Sequence, residues 1–125
     1  MGAADMANTE VKTFATPDET RPFEGNGKSE IITVGGRLVG RGTFEPGWRW
    51  SNNVKPIAGT DSCQVTHLAY VQSGHMRIRM NDGTTFDLGP GDVAAIQPGH
   101  DAEVLGDETC VALEFGDAST YARRS

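Results

Sequence analysis

Two side chains that can bind a transition metal lie four positions apart at the start of one predicted strand. Side chains alternate along an extended chain, so Cys63 and His67 share a face, with Asp61 near the strand entrance. Carboxylate, thiol and imidazole groups are all competent ligands, and three of them leave coordination positions open for a substrate. Asp61, Cys63 and His67 therefore form a candidate site for a divalent transition metal. The alternative interpretation is that Cys63 is a small buried apolar residue.

Two histidines are candidates for the wall of a binding cavity. His67 could act as a metal ligand, a hydrogen-bond donor or a catalytic general base, because the unperturbed pKa of histidine lies near neutrality. His100 directly follows the Pro98-Gly99 turn, and we expect it near the mouth of the cavity. The third histidine, His75, falls in a turn and is expected to be exposed and inert.

An aromatic pair adds a second candidate wall. Trp48 and Trp50 flank Arg49, and side chains two positions apart on an extended chain project to the same side. The tryptophans would form a ligand-binding wall, with Arg49 available for a carboxylate or a phosphate. Alternatively, both tryptophans fill the core and Arg49 pairs with a surface acid.

The elements that must position these residues are short strands separated by glycine-rich turns. Asp82-Gly83 and Gly89-Pro90-Gly91 are typical of tight reversals, because glycine tolerates the positive φ that such turns require. Alternation of apolar and polar residues predicts strands over 30–34, 37–44, 63–72, 76–80, 84–88, 92–96, 102–105 and 109–115. This spacing predicts an all-β antiparallel sandwich or barrel, with a structured loop over 48–61.

The chain of 125 residues is long enough for one domain with its own core. We place this domain at 29–116, after a polar arm at 1–28 that could add an edge strand at 11–15, and before a polar tail at 117–125.

Charge and cysteine content bound the function classes. A formal net charge of −6 argues against nucleic acid or an anionic membrane as a partner. The N-terminal residues lack the basic and apolar regions of a signal peptide, and no apolar window is long enough to span a bilayer. Two cysteines cannot define a disulfide framework. We therefore expect a cytoplasmic protein with both thiols reduced.

Two segments carry a resemblance to a known family. The segment 91–99, GDVAAIQPG, resembles the second conserved motif of the cupin superfamily, and 70–74, YVQSG, resembles the end of the first. The phrase EPGWRWS at 45–51, followed by His67 and His100, is similar to a subgroup of small single-domain bacterial cupins. The resemblance implies a cupin-type double-stranded β-helix, or jelly-roll barrel. It also implies a homodimer, for which Leu68 and Tyr70 are candidate contacts.

The resemblance does not carry the family's ligands over. Metal-dependent cupins use an H-x-H pair, a glutamate and a later histidine. The positions that match these four hold Asp61, Cys63, His67 and Ala102. His100 shares strand parity with Ala102 and could replace the missing histidine from two positions away.

Three functions remain open. The first, which the degenerate ligand positions favour, is a cupin that binds a small molecule in its cavity without the usual metal site. The second is an enzyme, metal-assisted or metal-free, with isomerase, lyase or dioxygenase-like chemistry at His67. The third is a regulatory or protein-interaction module with a closed core. The contacts of the first are Trp48, Arg49, Trp50, His67 and His100.

Overall fold

The computed structural model describes residues 9–116, and these form two antiparallel sheets that face each other. The six-stranded sheet has the order β1-β2-β3-β9-β4-β7, and the three-stranded sheet has the order β6-β5-β8. The strands are β1 (Glu19–Pro22), β2 (Gly27–Val34), β3 (Arg37–Phe44), β4 (His67–Ser73), β5 (His75–Met80), β6 (Thr85–Leu88), β7 (Val93–Ile96), β8 (His100–Leu105) and β9 (Cys110–Phe115). The predicted all-β class is confirmed, although the two sheets do not close into a barrel.

Alternation of side chains sets which residues reach the interior. His67, Ala69 and Val71 of β4 are buried, whereas Leu68 and Tyr70 between them are exposed. On the facing sheet, Met76 and Ile78 of β5 are buried in the same way. The core therefore lies between the sheets, as expected for strands with one apolar face.

The segment between β3 and β4 differs from the predicted loop. It contains two short helices, α1 (Trp50–Asn53) and α2 (Lys55–Ala58). Pro56 lies in the first turn of α2, where a missing N–H costs little, and Gly59 ends the helix with φ of 76°. The backbone N–H of Ser51 donates to Asp101 Oδ1 at 3.0 Å, which ties α1 to β8. This segment is a packed covering of one end of the sandwich.

The edge strand of the N-terminal region also differs from the prediction. It is β1, within the predicted polar arm, and it pairs antiparallel with β2. Residues 11–15 form no strand, because Ala15 N–H donates to Thr13 Oγ1 and Thr16 N–H to the Thr13 carbonyl, which turns the chain there. The predicted tail at 117–125, like residues 1–8, lies outside the described residues. Within residues 9–116, the helices include none that could span a lipid bilayer.

Candidate functional site

A small cavity lies between the sheets, next to the two predicted histidines. Its volume is about 40 Å³, enough for roughly one or two water molecules or an ion with a small ligand. Most of its lining is apolar, from both sheets and from the α1 region. The polar groups on its wall include His67, His100 and Glu114, so its polarity is concentrated at one place.

The two histidines form a cluster with Cys63, and all three residues are buried. One potential ligand atom of each residue lies within 4.8 Å of those of the other two. Cys63 Sγ is 3.4 Å from His67 Nε2, and the two imidazole rings have centroids 5.1 Å apart. The cluster joins a residue before β4, the first residue of β4 and the first residue of β8.

Backbone pairing brings these three residues together. Cys63 precedes β4 and forms an isolated bridge with His100, in which Cys63 N–H donates to the His100 carbonyl at 2.8 Å. Gly99 N–H donates to the Cys63 carbonyl at 2.7 Å. The chain entering β4 is therefore attached to the start of β8, on the opposite sheet. This pairing holds Cys63 between the two histidines.

Each histidine is oriented by a hydrogen bond from its other ring nitrogen. His67 Nδ1 donates to Glu114 Oε2 at 2.7 Å, and His100 Nδ1 donates to the Gln97 carbonyl at 2.7 Å. A donating Nδ1 leaves Nε2 as the atom that can bind a metal, and metal-binding histidines in proteins almost always have such a partner. Glu114 and Gln97 therefore serve as orienting groups for the cluster.

The protonation of Cys63 and His67 is coupled. Burial alone would raise the pKa of the Cys63 thiol, but hydrogen bonds from His100 and His67 outweigh it and lower that pKa to about 7. Burial alone would lower the pKa of His67, but the bonds to Cys63 and Glu114 raise it to about 10. Without a metal, the Cys63 thiol is partly ionised near neutral pH, beside a protonated His67 imidazole.

The cluster fits a transition metal that accepts sulfur and nitrogen ligands. Zinc-type bond lengths of about 2.0–2.3 Å place tetrahedral ligand atoms roughly 3.3–3.8 Å apart, and the Cys63–His67 separation of 3.4 Å lies in this range. The donor set is one thiolate and two imidazoles, which suits zinc, cobalt, nickel, iron or copper rather than calcium or magnesium. Three protein ligands leave at least one position open.

Asp61 does not join this cluster, contrary to the expectation for a metal site of Asp61, Cys63 and His67. Its side chain is fully exposed and lies 3.8 Å from Lys55 Nζ. The short helix α2 and the bridge at Cys63 separate the chain at 61 from the interior, so strand parity does not extend back to this residue. His100 is the third member in its place.

The structure places the two tryptophans and the arginine between them on opposite sides of the chain. Trp48 and Trp50 are both buried and line the cavity. Arg49 points the opposite way and forms an ion pair with Glu103 on the outer side, so it does not line this cavity, and its role in ligand binding stays a prediction. The reason is the alternation that puts both tryptophans inside. Nε1 of Trp48 is buried without a hydrogen-bond acceptor among the described residues.

Glu114 is the functional residue that sequence reasoning missed. It lies opposite Ala69 in the β4–β9 pairing, one diagonal step from His67. A signal for it exists in the last strand, where Cys110, Ala112 and Glu114 share one face. A carboxylate on the face that carries a buried cysteine and alanine is unusual and could have been singled out.

Comparison with known proteins gives a fold. No protein-family model matches the sequence, and no curated protein matches it. Among solved structures, the polyketide cyclase RemF from Streptomyces resistomycificus is similar with a TM-score of 0.60 at 16% identity, over 86% of this chain and 78% of that one. A protein with a double-stranded β-helix domain from Klebsiella pneumoniae has a TM-score of 0.56 at 18% identity, over 90% and 95% of the two chains.

An RmlC-like cupin from Shewanella frigidimarina is also similar, with a TM-score of 0.55 at 14% identity, over 89% of this chain and 95% of that one. Identities this low carry the fold alone, not an activity. The chain has the fold of the cupin superfamily.

Proposed function

We propose that this chain is a cupin that binds a divalent transition metal through Cys63, His67 and His100, and binds a small molecule beside it. One observation carries the proposal. Three buried side chains have ligand atoms within 4.8 Å of one another, and two of them, His67 and His100, line a mostly apolar cavity. The three groups have hydrogen-bond partners in the fold, and a metal is the one partner that all three can share.

The orienting groups support the same function. Glu114 and the Gln97 carbonyl hold the two imidazoles through Nδ1, so that Nε2 of each remains for a ligand bond. The bridge between Cys63 and His100 fixes the third ligand through the backbone. When bound, a metal of this class polarises a carbonyl group or activates a water molecule. The chain's own residues would position the small molecule and exclude bulk water.

A metal-free enzyme with His67 as the general base is the weaker candidate. The hydrogen bonds to Cys63 and Glu114 raise the pKa of His67 to about 10, so the ring keeps its proton at neutral pH and can donate but not accept. In a metal-free protein the Cys63 thiolate, not His67, would be the proton acceptor. The polyketide cyclase among the similar structures shows that the fold can accommodate an enzyme. Its reaction is not assigned to this chain, because one fold hosts many functions.

The proposal also sets an expectation for the surroundings of the protein. A thiol ligand must stay reduced, and both cysteines are free, so we retain the cytoplasm as the expected compartment.

A second copy of the chain remains the proposed partner. Leu68 and Tyr70 on the outer face of β4 are 48% and 38% exposed and are the contacts to test. A Leu68→Lys, Tyr70→Lys double variant should shift a dimer to monomer in sedimentation.

Cobalt titration tests the metal site directly. Co²⁺ added to the reduced, untagged protein should give a thiolate-to-cobalt charge-transfer band in the near ultraviolet and intense visible bands of a four- or five-coordinate centre, at one ion per chain. His67→Ala and His100→Ala should each lower the affinity by about 100-fold or more. His75→Ala is the matched control, because His75 is an exposed histidine outside the cluster.

Two outcomes would overturn the proposal. The first is a wild-type protein that binds no Co²⁺ or Zn²⁺ at micromolar concentrations while its far-ultraviolet circular dichroism shows a folded sheet. That result would favour a closed core or a metal-free thiolate–imidazolium site. The second is binding that His75→Ala removes and His67→Ala does not, which would place the metal elsewhere.

A further inference from the structure

The sandwich is open on one side, between β6 and β7. These strands are the outer strands of different sheets, and no ladder joins them within residues 9–116. Phe86 of β6 pairs with Ile78 of β5, so its side chain points to the same interior face as the buried Ile78. Phe86 is nevertheless 54% exposed, whereas Ile78 is 3% exposed. The core-facing side of β6 is therefore uncovered here.

This opening forms a groove, which we call the side groove, of about 470 Å³. It is defined by Ile78, Met80, Phe86, Leu88, Ala94 and Ile96, all of which lie on the interior face of their strands. Of the described residues that line it, Asp82 alone is ionisable. Its volume lies in the range of natural small-molecule sites, and its lining is that of an apolar ligand.

The side groove is adjacent to the small inner cavity that His67 and His100 line. Ile78, Leu88 and Ile96 line both the groove and the small inner cavity. Ile96 is also the direct partner of His67 in the β4–β7 pairing. Three aliphatic side chains are thus the wall between an open apolar groove and the buried histidines. Displacement of these three side chains would connect the groove with His67.

The inner cavity is too small for a whole substrate, yet it offers polar contacts. At about 40 Å³ it holds a head group of a few atoms at most. Nε1 of Trp48, on its wall, is a buried donor without an acceptor among the described residues. A buried donor of this kind costs free energy until an acceptor meets it. The head group that fits is an oxygen acceptor, which is also a ligand for a metal at the cluster.

We propose that the site takes a carboxylic acid with an apolar body, whose hydrocarbon or aryl chain lies in the side groove and whose carboxylate enters the inner cavity beside His67, His100 and Trp48. The inference deepens the proposed function and rests on it for the position of the head group. Contact with Ile78, Phe86 and Leu88 supplies affinity for the body, since apolar burial scales with area. The donor of Trp48 supplies selectivity for an acceptor at the end.

A homologous series of acids tests the side groove. We would titrate acetate, butanoate, hexanoate and octanoate into the full chain and follow the fluorescence of the two tryptophans, both of which line the inner cavity. Affinity should rise about fourfold for each added methylene group. Phe86→Ser should weaken octanoate binding about tenfold and leave acetate unchanged. Phe115→Ser is the matched control, because it is 43% exposed on β9, away from the groove.

The outcomes separate this inference from the metal site. Co²⁺ could bind as expected while all the acids bind with equal affinity, or while Phe86→Ser and Phe115→Ser have the same effect. Either result would overturn the proposed role of the side groove and leave the metal site supported. If no metal binds but affinity for the acids still rises with chain length and falls in Phe86→Ser, the groove is a ligand site and the metal site fails.

A second copy of the chain is the competing occupant. If Phe86→Ser converts a dimer to monomer in sedimentation and octanoate does not, the groove is a subunit interface and the ligand inference fails. If Phe86→Ser lowers the thermal midpoint too far for titration, Ala94→Trp serves instead. A tryptophan at this interior-facing position of β7 should fill the groove and weaken octanoate binding at least fivefold. Unchanged binding would overturn the inference.

Discussion

The two cysteines of this chain are equally buried, yet their surroundings make them chemically opposite. Cys63 is 2% exposed and Cys110 is 0% exposed, and both belong to the same hydrophobic core cluster. Hydrogen bonds from two histidines lower the pKa of Cys63 to about 7 in spite of its burial. At Cys110, burial and the negative charge of Glu108 raise the pKa to about 11.

Burial by itself does not determine the pKa of a thiol in this chain. Removal from water disfavours the thiolate at both positions, and only the donors near Cys63 reverse the result. A buried cysteine without such donors behaves as a small apolar residue, which is the role that Cys110 has here. Substitution of each cysteine and of the groups around it should therefore have different consequences at the two positions.

The largest expected effect is on metal affinity. Cys63→Ala should weaken Co²⁺ binding by more than 100-fold and remove the thiolate charge-transfer band, because it deletes one of three ligands. Cys110→Ala should change the affinity by less than about threefold, a difference worth under ~1 kcal/mol. Competition with a chelator of known affinity measures both. If Cys110→Ala lost the charge-transfer band and Cys63→Ala kept it, Cys110 rather than Cys63 would be the metal ligand.

The next effect concerns the orienting carboxylate. Glu114→Gln should weaken metal binding by about 10- to 100-fold, because His67 loses a charged acceptor that orients its ring and raises its basicity. The band should remain, since Cys63 is untouched. Glu103→Gln is the matched control, because Glu103 pairs with Arg49 on the outer side. Equal losses in the two variants would show that the effect is general electrostatics.

The third effect is on the free energy of unfolding when either cysteine is replaced by serine. Cys110→Ser should lower the free energy of unfolding by about 1–3 kcal/mol, because it buries a hydroxyl group among apolar side chains. Cys63→Ser should cost about 1 kcal/mol or less, since His67 and His100 can bond the hydroxyl. Urea unfolding of the metal-free proteins measures both. A larger loss for Cys63→Ser would mean that Cys63 is the structural thiol.

The smallest effect is the alkaline pH dependence that Cys110 adds. Its folded pKa of about 11 exceeds its ordinary value of 9.0, so folding favours the protonated thiol. The stability that this shift contributes is fully present below pH 9 and is lost as the pH rises toward 11. At pH 10 the loss is on the order of 1 kcal/mol.

Unfolding of wild type and Cys110→Ala between pH 8 and pH 10 isolates this contribution, because His67 titrates equally in both. The wild type should lose more stability over this interval than the variant. Parallel curves would show that the Cys110 thiol ionises as easily in the folded as in the unfolded chain.

Much of the fold was predictable from the sequence. Alternation along 63–72 put His67, Ala69 and Val71 on one face, and the structure buries them. The turns at Asp82-Gly83 and Gly89-Pro90-Gly91 were predictable because their chemistry is local. The two short helices after Trp48 were not, since four-residue helices have no periodic pattern to detect.

The site was only half predictable, and the reason is the range of the interactions. The sequence determined on its own that Cys63, His67 and the tryptophan pair face inward, because period-two alternation needs only neighbours along the chain. Contacts between segments distant in the sequence decided the rest. It excluded Asp61, turned Arg49 outward to Glu103, and placed Glu114 behind His67. Such contacts join residues up to 54 positions apart, and no local pattern encodes which strands will meet.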